Sequence, residues 1–261
     1  MKKSKILVPA VALLALSTAA ATTGTVAWFT TNRQVTASTL TAAIASSQDL
    51  RISDSLSPSY AWSTSVRWDL NDTSLIPVTP VAGSLNNVTA VLKDASNATL
   101  TANPIFLSPN SNNTVDPATG EAAHAPAIGT SNGQYYQVIE SHAYLGEDFA
   151  LKYEGSKTVD GAVVTKETVN GVVTFTSTEG RDIDKALRLG VYSITDQKFT
   201  VYNVTNSTGA TYTVNLSAIE LESGVAKEYR VFIYYEGSDE ACINKNAVTH
   251  PLSVGFTFTL A

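Results

Sequence analysis

The sequence predicts an all-β fold, a largely antiparallel sandwich, on three observations. Threonine, valine and serine are abundant while only 15% of residues are charged, and β-branched side chains favour a pleated backbone over a helix. The C-terminal third carries bulky runs at 229–235 and 252–260 with strand-like alternation. Asp160-Gly161 and Asn170-Gly171 separate short β-like runs, and both pairs tolerate the positive φ angles of tight hairpin turns. Disorder is excluded, because hydrophobic residues make up 44% of the chain and the net charge is small.

The N-terminus reads as an export signal. Lys2, Lys3 and Lys5 precede an apolar run from Ile6 to Ala21, and Thr25-Val26-Ala27 puts small residues where a signal peptidase reads. Residues 1–27 are therefore the predicted signal peptide, cut between Ala27 and Trp28. Thr22, Thr23 and Gly24 interrupt the run, which falls short of the ~20 apolar residues of a spanning helix. No second run of spanning length and no LPxTG motif follow. The expected product is extracellular, either released or held at the cell surface by other chains. Losing the three leader lysines lowers the formal charge from −6 to −9. A chain this acidic, with no basic cluster, is not built for nucleic acid, whose phosphates call for Lys and Arg.

Residues 28–47 are Thr- and Ala-rich, with Arg33 the one charge. They read as an extended segment with no local partner. Residues 48–261 form the expected sandwich domain. Its predicted strands include Leu50–Ser53, Ser65–Leu70, Val88–Leu92 and Tyr135–Leu145. The stretch 102–133 collects Pro104, Pro109, Pro117 and Pro126 and reads as a long loop insertion. Next come the two hairpins, around Asp160-Gly161 and Asn170-Gly171. A short helix is expected over Asp182–Leu187, then strands over Arg188–Ile194, Phe199–Val204, Thr211–Leu216, Tyr229–Tyr235 and Leu252–Leu260. In 230–235, Val231, Ile233 and Tyr235 share one face and Phe232 and Tyr234 the other, as in a strand covered on both sides.

No catalytic constellation is visible, and no cofactor is implied. His124, His142 and His250 lack metal-ligand spacing, and HExxH, GxSxG and phosphate-cradling Gly-rich loops are absent. Asp69 to Asp72 and Asp182 to Asp184 gather oxygen atoms that suit calcium, and equally suit turns and helix starts. Glu140 with Glu147, or Glu236 with Asp239, are conceivable acid–base pairs. The single cysteine, Cys242, allows no internal disulfide, leaving a structural thiol or an intermolecular bridge.

Two stretches resemble a family. One is TGTVAWFTTNRQVTASTLTA, residues 23–42, with Thr25-Val26-Ala27 at the cleavage position, Trp28-Phe29-Thr30 at an aromatic junction and Ser38-Thr39-Leu40 beyond. The other is the tail from Tyr229, with Ile233–Tyr235, Glu236-Gly237, Asp239-Glu240, Cys242, Asn244 and Phe256–Phe258. Both are similar to exported proteins of the TasA/camelysin type. The resemblance implies a jelly-roll domain that polymerises outside the cell, the freed N-terminal segment of one subunit adding as a strand to the next. Trp28, Phe29, Val35, Thr39 and Leu40 are then the expected donor-strand contacts, and the expected role is a non-enzymatic fibre or biofilm-matrix subunit. Two other readings stand beside it. One is a monomeric surface module that binds glycans through 102–133 or through Tyr135 and Tyr136. The other is a metallopeptidase, as part of the camelysin family has been described, which would engage His142.

Overall fold

The computed structural model describes residues 36–44, 49–68, 75, 77–84, 87–93, 97–108, 128–130, 133–137, 143–155, 157–159, 162–177, 182–204, 211–239, 241 and 251–261. The strands in chain order begin with β1 (Thr36–Ile44), β2 (Leu50–Ser53), β3 (Ser65–Trp68), β4 (Thr79–Ser84) and β5 (Asn87–Val91). Next are β6 (Ala98–Thr99), β7 (Ile105–Ser108), β8 (Ile128–Thr130), β9 (Gly133–Gln137) and β10 (Leu145–Tyr153). Then come β11 (Lys157–Val159), β12 (Ala162–Val164), β13 (Lys166–Ser177), β14 (Leu187–Ser193) and β15 (Lys198–Asn203). The series ends with β16 (Thr211–Asn215), β17 (Ile219–Glu222), β18 (Ala226–Tyr235) and β19 (Pro251–Leu260). A 3-10 helix spans Asp182–Ala186, where the sequence predicts a short helix.

The fold is the all-β sandwich that the sequence predicts. One six-stranded sheet runs β16–β13–β19–β1–β3, with β17 also on β13; the second runs β2–β10–β18–β14–β15–β6. The main core lies between them. β19 supplies Leu252, Val254, Phe256 and Phe258, all buried, while β18 supplies Val231, Ile233 and Tyr235. A five-stranded sheet, β5–β4–β7–β9–β8, adds a third layer. Phe232 and Tyr234 of β18 face this side, packed with Phe106, Phe199 and Tyr192 in a second core. β18 is therefore buried on both faces, the arrangement its doubly bulky sequence demands.

Three expectations are corrected. Of the stretch 102–133, read as a loop insertion, residues 109–127 lie outside the described residues, and the described parts contain β7, β8 and the start of β9. The three apolar residues Ile105-Phe106-Leu107, bounded by Pro104 and Pro109, are too few for alternation to register, yet Leu107 is fully buried and Phe106 packs on Phe232. The run 135–145 is not one strand, since β9 ends at Gln137 and β10 begins at Leu145. Asn170-Gly171 makes no hairpin. β13 passes straight through it, paired with β19 from Val169↔Leu260 to Ser177↔Leu252. Long-range pairing on β19 satisfies the backbone groups that a turn would have satisfied locally. Asp160-Gly161 lies outside the described residues, and the strands on either side of it, β11 and β12, pair antiparallel.

Gly171 is inward-facing, in phase with the buried Val169, Val173 and Phe175. On its other edge, β13 passes from β17 (up to Val169↔Ile219) to β16 (from Val172↔Asn215). The step between those two strands puts Leu216 over the glycine, with the Leu216 amide donating to the Gly171 carbonyl at 2.8 Å. A Cβ at 171 would meet Leu216 Cδ1 at 2.8 Å and Phe258 Cε1 at 3.2 Å, whereas one at Gly255 would meet only Thr41 Oγ1 at 3.6 Å. Gly171→Val is expected to cost about 1–3 kcal/mol through overpacking, while Gly255→Ala leaves stability unchanged or raised. Denaturant melts of the two variants check this, and equal melts would place Leu216 elsewhere.

Candidate functional site

The residues tied by sequence to assembly sit at the N-terminal end of the described chain. β1 alternates as a half-buried strand should: Leu40 and Ala42 are buried, and Thr41 and Ala43 are exposed. It runs parallel to β19, from Thr36↔Pro251 to Ile44↔Phe258, with a register shift between Ala37 and Thr39. On its other side it pairs antiparallel with β3, from Leu40↔Trp68 to Ala43↔Ser65. Leu40 is 1% exposed, and burying such a side chain contributes about 1.5–3 kcal/mol.

Ala27, Trp28, Phe29 and Val35 lie outside the described residues. Thr39 and Leu40 do not. They stand opposite Ser253 and Val254 of the same chain, so residues 36–44 of the segment read as partnerless have a partner in their own sheet. The sequence concealed it because Leu40 and Ile44 are the only large side chains in β1, and because β19 lies at the far end of the chain. A parallel pair also leaves no hairpin signal.

A buried polar cluster closes the end of β18. The Glu236 amide donates to the Ala186 carbonyl at 2.8 Å, and the Gly237 amide to Val78 at 3.0 Å. Glu236 Oε1 accepts from Thr79 Oγ1, from the Ser238 amide at 3.1 Å and from Ser238 Oγ at 2.9 Å. Its Oε2 has no partner. Burial pushes the Glu236 carboxyl above its ordinary value, partly opposed by the bonds from Thr79 and Ser238 and by the Arg188 charge. Asp239 is held by Arg188, which also donates to the Lys185 carbonyl at 2.6 Å. The conceived acid–base pair of Glu236 and Asp239 is thus closed in, and the group fastens β18 to the 3-10 helix and to β4.

The other sequence candidates fare as follows. Asp184 is buried and accepts from Tyr212 Oη at 2.8 Å, an internal contact rather than an open calcium ligand. Glu147 lines a surface dish of about 430 Å³ with Asp54, Asp148 and Arg230. Burial raises its carboxyl, with Asp148 and Asp54 adding to the shift. Arg230 holds Asp148 in two bonds of 2.5 and 2.6 Å. Tyr135 and Tyr136 belong to β9, opposite Ile128 and Ser108. Glu140, Cys242, the Asp69–Asp72 stretch and all three histidines lie outside the described residues. Among the described residues, no group of three or more His, Cys, Asp and Glu is placed to hold a metal ion, and no helix is long and apolar enough to cross a membrane.

No protein-family model matches the chain, and no curated protein matches it. Among solved structures, a chain described as AvmM, which catalyzes macrocyclization in alchivemycin A biosynthesis, is similar over 44% of this chain and 79% of its own. The identity is 7% and the TM-score 0.26, a likeness that carries no argument about function.

The buried Glu236 generates a pH dependence with a defined sign. Because its carboxyl titrates higher in the folded chain than in the unfolded one, the unfolded chain gives up the proton first as pH rises. Stability is fully retained below the ordinary value of 4.5 and falls as pH climbs toward and through the folded value. Glu236→Gln keeps the acceptor oxygen and removes the titration. Melting temperature, followed from pH 4 to neutrality, is expected to fall less steeply in the variant than in the parent. Parallel curves would show that Glu236 titrates alike in the folded and unfolded chains.

Proposed function

We propose that this chain is an exported, non-enzymatic structural subunit of an extracellular filament or matrix fibre, assembled by exchange of its N-terminal strand between copies. The observation that carries the reading is the position of β1. It is the first described strand, it completes the sheet between β19 and β3, and it fills the core with Leu40 and Ala42. A terminal strand of this kind is able to leave its own sheet and occupy the same slot in another copy with the same contacts, a low-cost route to association. When each copy gives its strand to the next, the contact does not close, and a filament results.

Sequence features agree with this role. The lysine-led leader directs export and signal peptidase meets the chain at Ala27. Cleavage frees a segment carrying Trp28, Phe29 and Val35 ahead of β1, and the tail resembles exported fibre-forming proteins. The acidic charge keeps the subunit soluble and disfavours nucleic acid as a partner. The self-association partner is a second copy of the same chain.

A reversible staple tests the exchange. Thr41 and Gly255 are directly opposed, and a Cβ at 255 would lie in van der Waals contact with the Thr41 side chain, 3.6 Å from its Oγ1, so cysteines at the two positions would face each other. The chain beginning at Trp28, carrying Thr41→Cys and Gly255→Cys in a Cys242→Ser background, is viewed by electron microscopy. Filaments are expected when it is reduced, and folded monomers when it is oxidised as a monomer. Filaments from the oxidised monomer would exclude β1 exchange. Monomers under both conditions, and from the parent chain, would remove the filament reading altogether.

A further inference from the structure

The flank of the sandwich opposite β1 is open. There the edge of the first sheet, at the step from β16 to β17, stands away from β14 and β15 of the second, and a cleft of about 250 Å³ lies between them. Neither the assembly reading nor the buried cluster uses it. Its apolar surface includes Val191, Ile219 and Tyr202, all half-buried. Tyr202 is held from its far end: its hydroxyl donates to Ser217 Oγ at 3.1 Å and accepts from the Ser217 amide at 3.0 Å. The ring is therefore fixed in place before any ligand arrives.

The polar lining is balanced in charge. Lys227 spends its ammonium on Asp196, at 3.0 and 3.2 Å to the two carboxylate oxygens, and Ser193 Oγ donates to the same carboxylate at 3.0 Å. Burial alone would raise the Asp196 carboxyl, but these bonds outweigh it and hold the group below its ordinary value, so it stays ionised and neutralised. Glu220 and Lys198 are the remaining charged residues of the lining, one of each sign. Thr200 Oγ1 donates to Asn97 Oδ1 at 3.1 Å, which leaves the Asn97 amide group as a donor and the Thr200 oxygen as an acceptor. An anion and a cation each meet both attraction and repulsion here, whereas a ligand with many neutral hydroxyls meets donors, acceptors and an aromatic ring.

Backbone strain concentrates at the same place. Among the described residues, two non-glycine residues have left-handed φ, Asn97 at 57° and Gln197 at 54°. Asn97 lines the cleft, and Gln197 lies between the lining residues Asp196 and Lys198. Their two segments are tied together by the Leu100 amide, which donates to the Gln197 carbonyl at 2.9 Å. Asparagine accepts this conformation readily, while glutamine does so at a cost, and such strain persists where a ligand-holding geometry is over-determined by its surroundings.

We propose that this flank cleft binds a neutral oligosaccharide, with a sugar ring against Tyr202 and its hydroxyls on Asn97, Thr200, Lys198 and Glu220. The cleft has room for one or two sugar rings, so binding is shallow and individually weak. Arrayed along a filament, many such sites would hold a polysaccharide by avidity.

The test is calorimetric titration of the chain beginning at Trp28 with cellotriose, maltotriose and chitotriose. At least one is expected to bind saturably with a dissociation constant at or below about 5 mM. Tyr202→Ala is expected to weaken that binding about tenfold or more. Because Tyr202 touches the core, the exposed Lys198→Ala serves as the second variant, with a several-fold loss expected and an unchanged melting temperature. No heat of binding from any of the three at about 20 mM, or binding that Lys198→Ala and Tyr202→Ala both leave intact, would overturn the proposal. So would selective binding of a peptide with the Trp28–Val35 sequence in place of the sugars, which would make the cleft a protein-docking site.

Discussion

β18 has a packed neighbour in every direction. Its edges are hydrogen-bonded to β10 and β14, one face looks into the main core and the other into the second. A strand in this position tolerates almost no polar side chain from Val231 to Tyr235, and it forces the rest of the chain into layers. The first sheet covers one face. The other face, lined by Phe232 and Tyr234, needs Phe106 from β7, and so requires the small third sheet. Where β18 ends, the Glu236 and Gly237 amides go to the Ala186 and Val78 carbonyls and the Tyr235 carbonyl takes the Val78 amide, while the Glu236 carboxyl accepts from the Ser238 amide and the Thr79 hydroxyl.

This layering explains what was legible in the sequence. β18 and β19 could be read residue by residue because their burial is two-sided or strictly alternating and their side chains are large. The pairing of β11 with β12 was legible because the two strands are close neighbours in the chain. β1 was harder: a strand of threonines and alanines shows almost no hydrophobic period, and its partner in the sheet is the last strand described. Asn170-Gly171 misled for a physical reason. The same lack of a Cβ that permits a tight turn also permits Leu216 to lie against the strand, and only the tertiary neighbours decide which use is made of it. β7 is too short for any pattern to show.

The candidate sites divide along the same line. The carboxylates singled out in the sequence, Asp184, Glu236 and Asp239, are drawn into internal bonds because sandwich ends need acceptors for their own donors. The flank cleft had no sequence signal at all. Its walls come from Asn97, from the β14–β15 hairpin, from the β16–β17 step and from the start of β18, and no spacing links these segments. The positive φ of Asn97 and Gln197 is invisible in the sequence too, since glutamine is not a residue from which a left-handed backbone is inferred.

The parallel pairing of β1 with β19 sets an order of events. The chain leaves the ribosome, and crosses a membrane if it is exported, with its N-terminal side first. Among the described strands β1 is then the first to emerge, and of its two partners β3 follows soon and β19 comes last. Until β19 arrives, β1 has only β3 beside it and its other edge stays open, and a contact between strands so far apart in the chain is among the slowest to close. Throughout that interval the open edge of β1 offers unpaired backbone groups to whatever strand comes beside it. Under the proposed strand exchange, local subunit density during emergence then sets whether the β1 slot is filled from within or from outside.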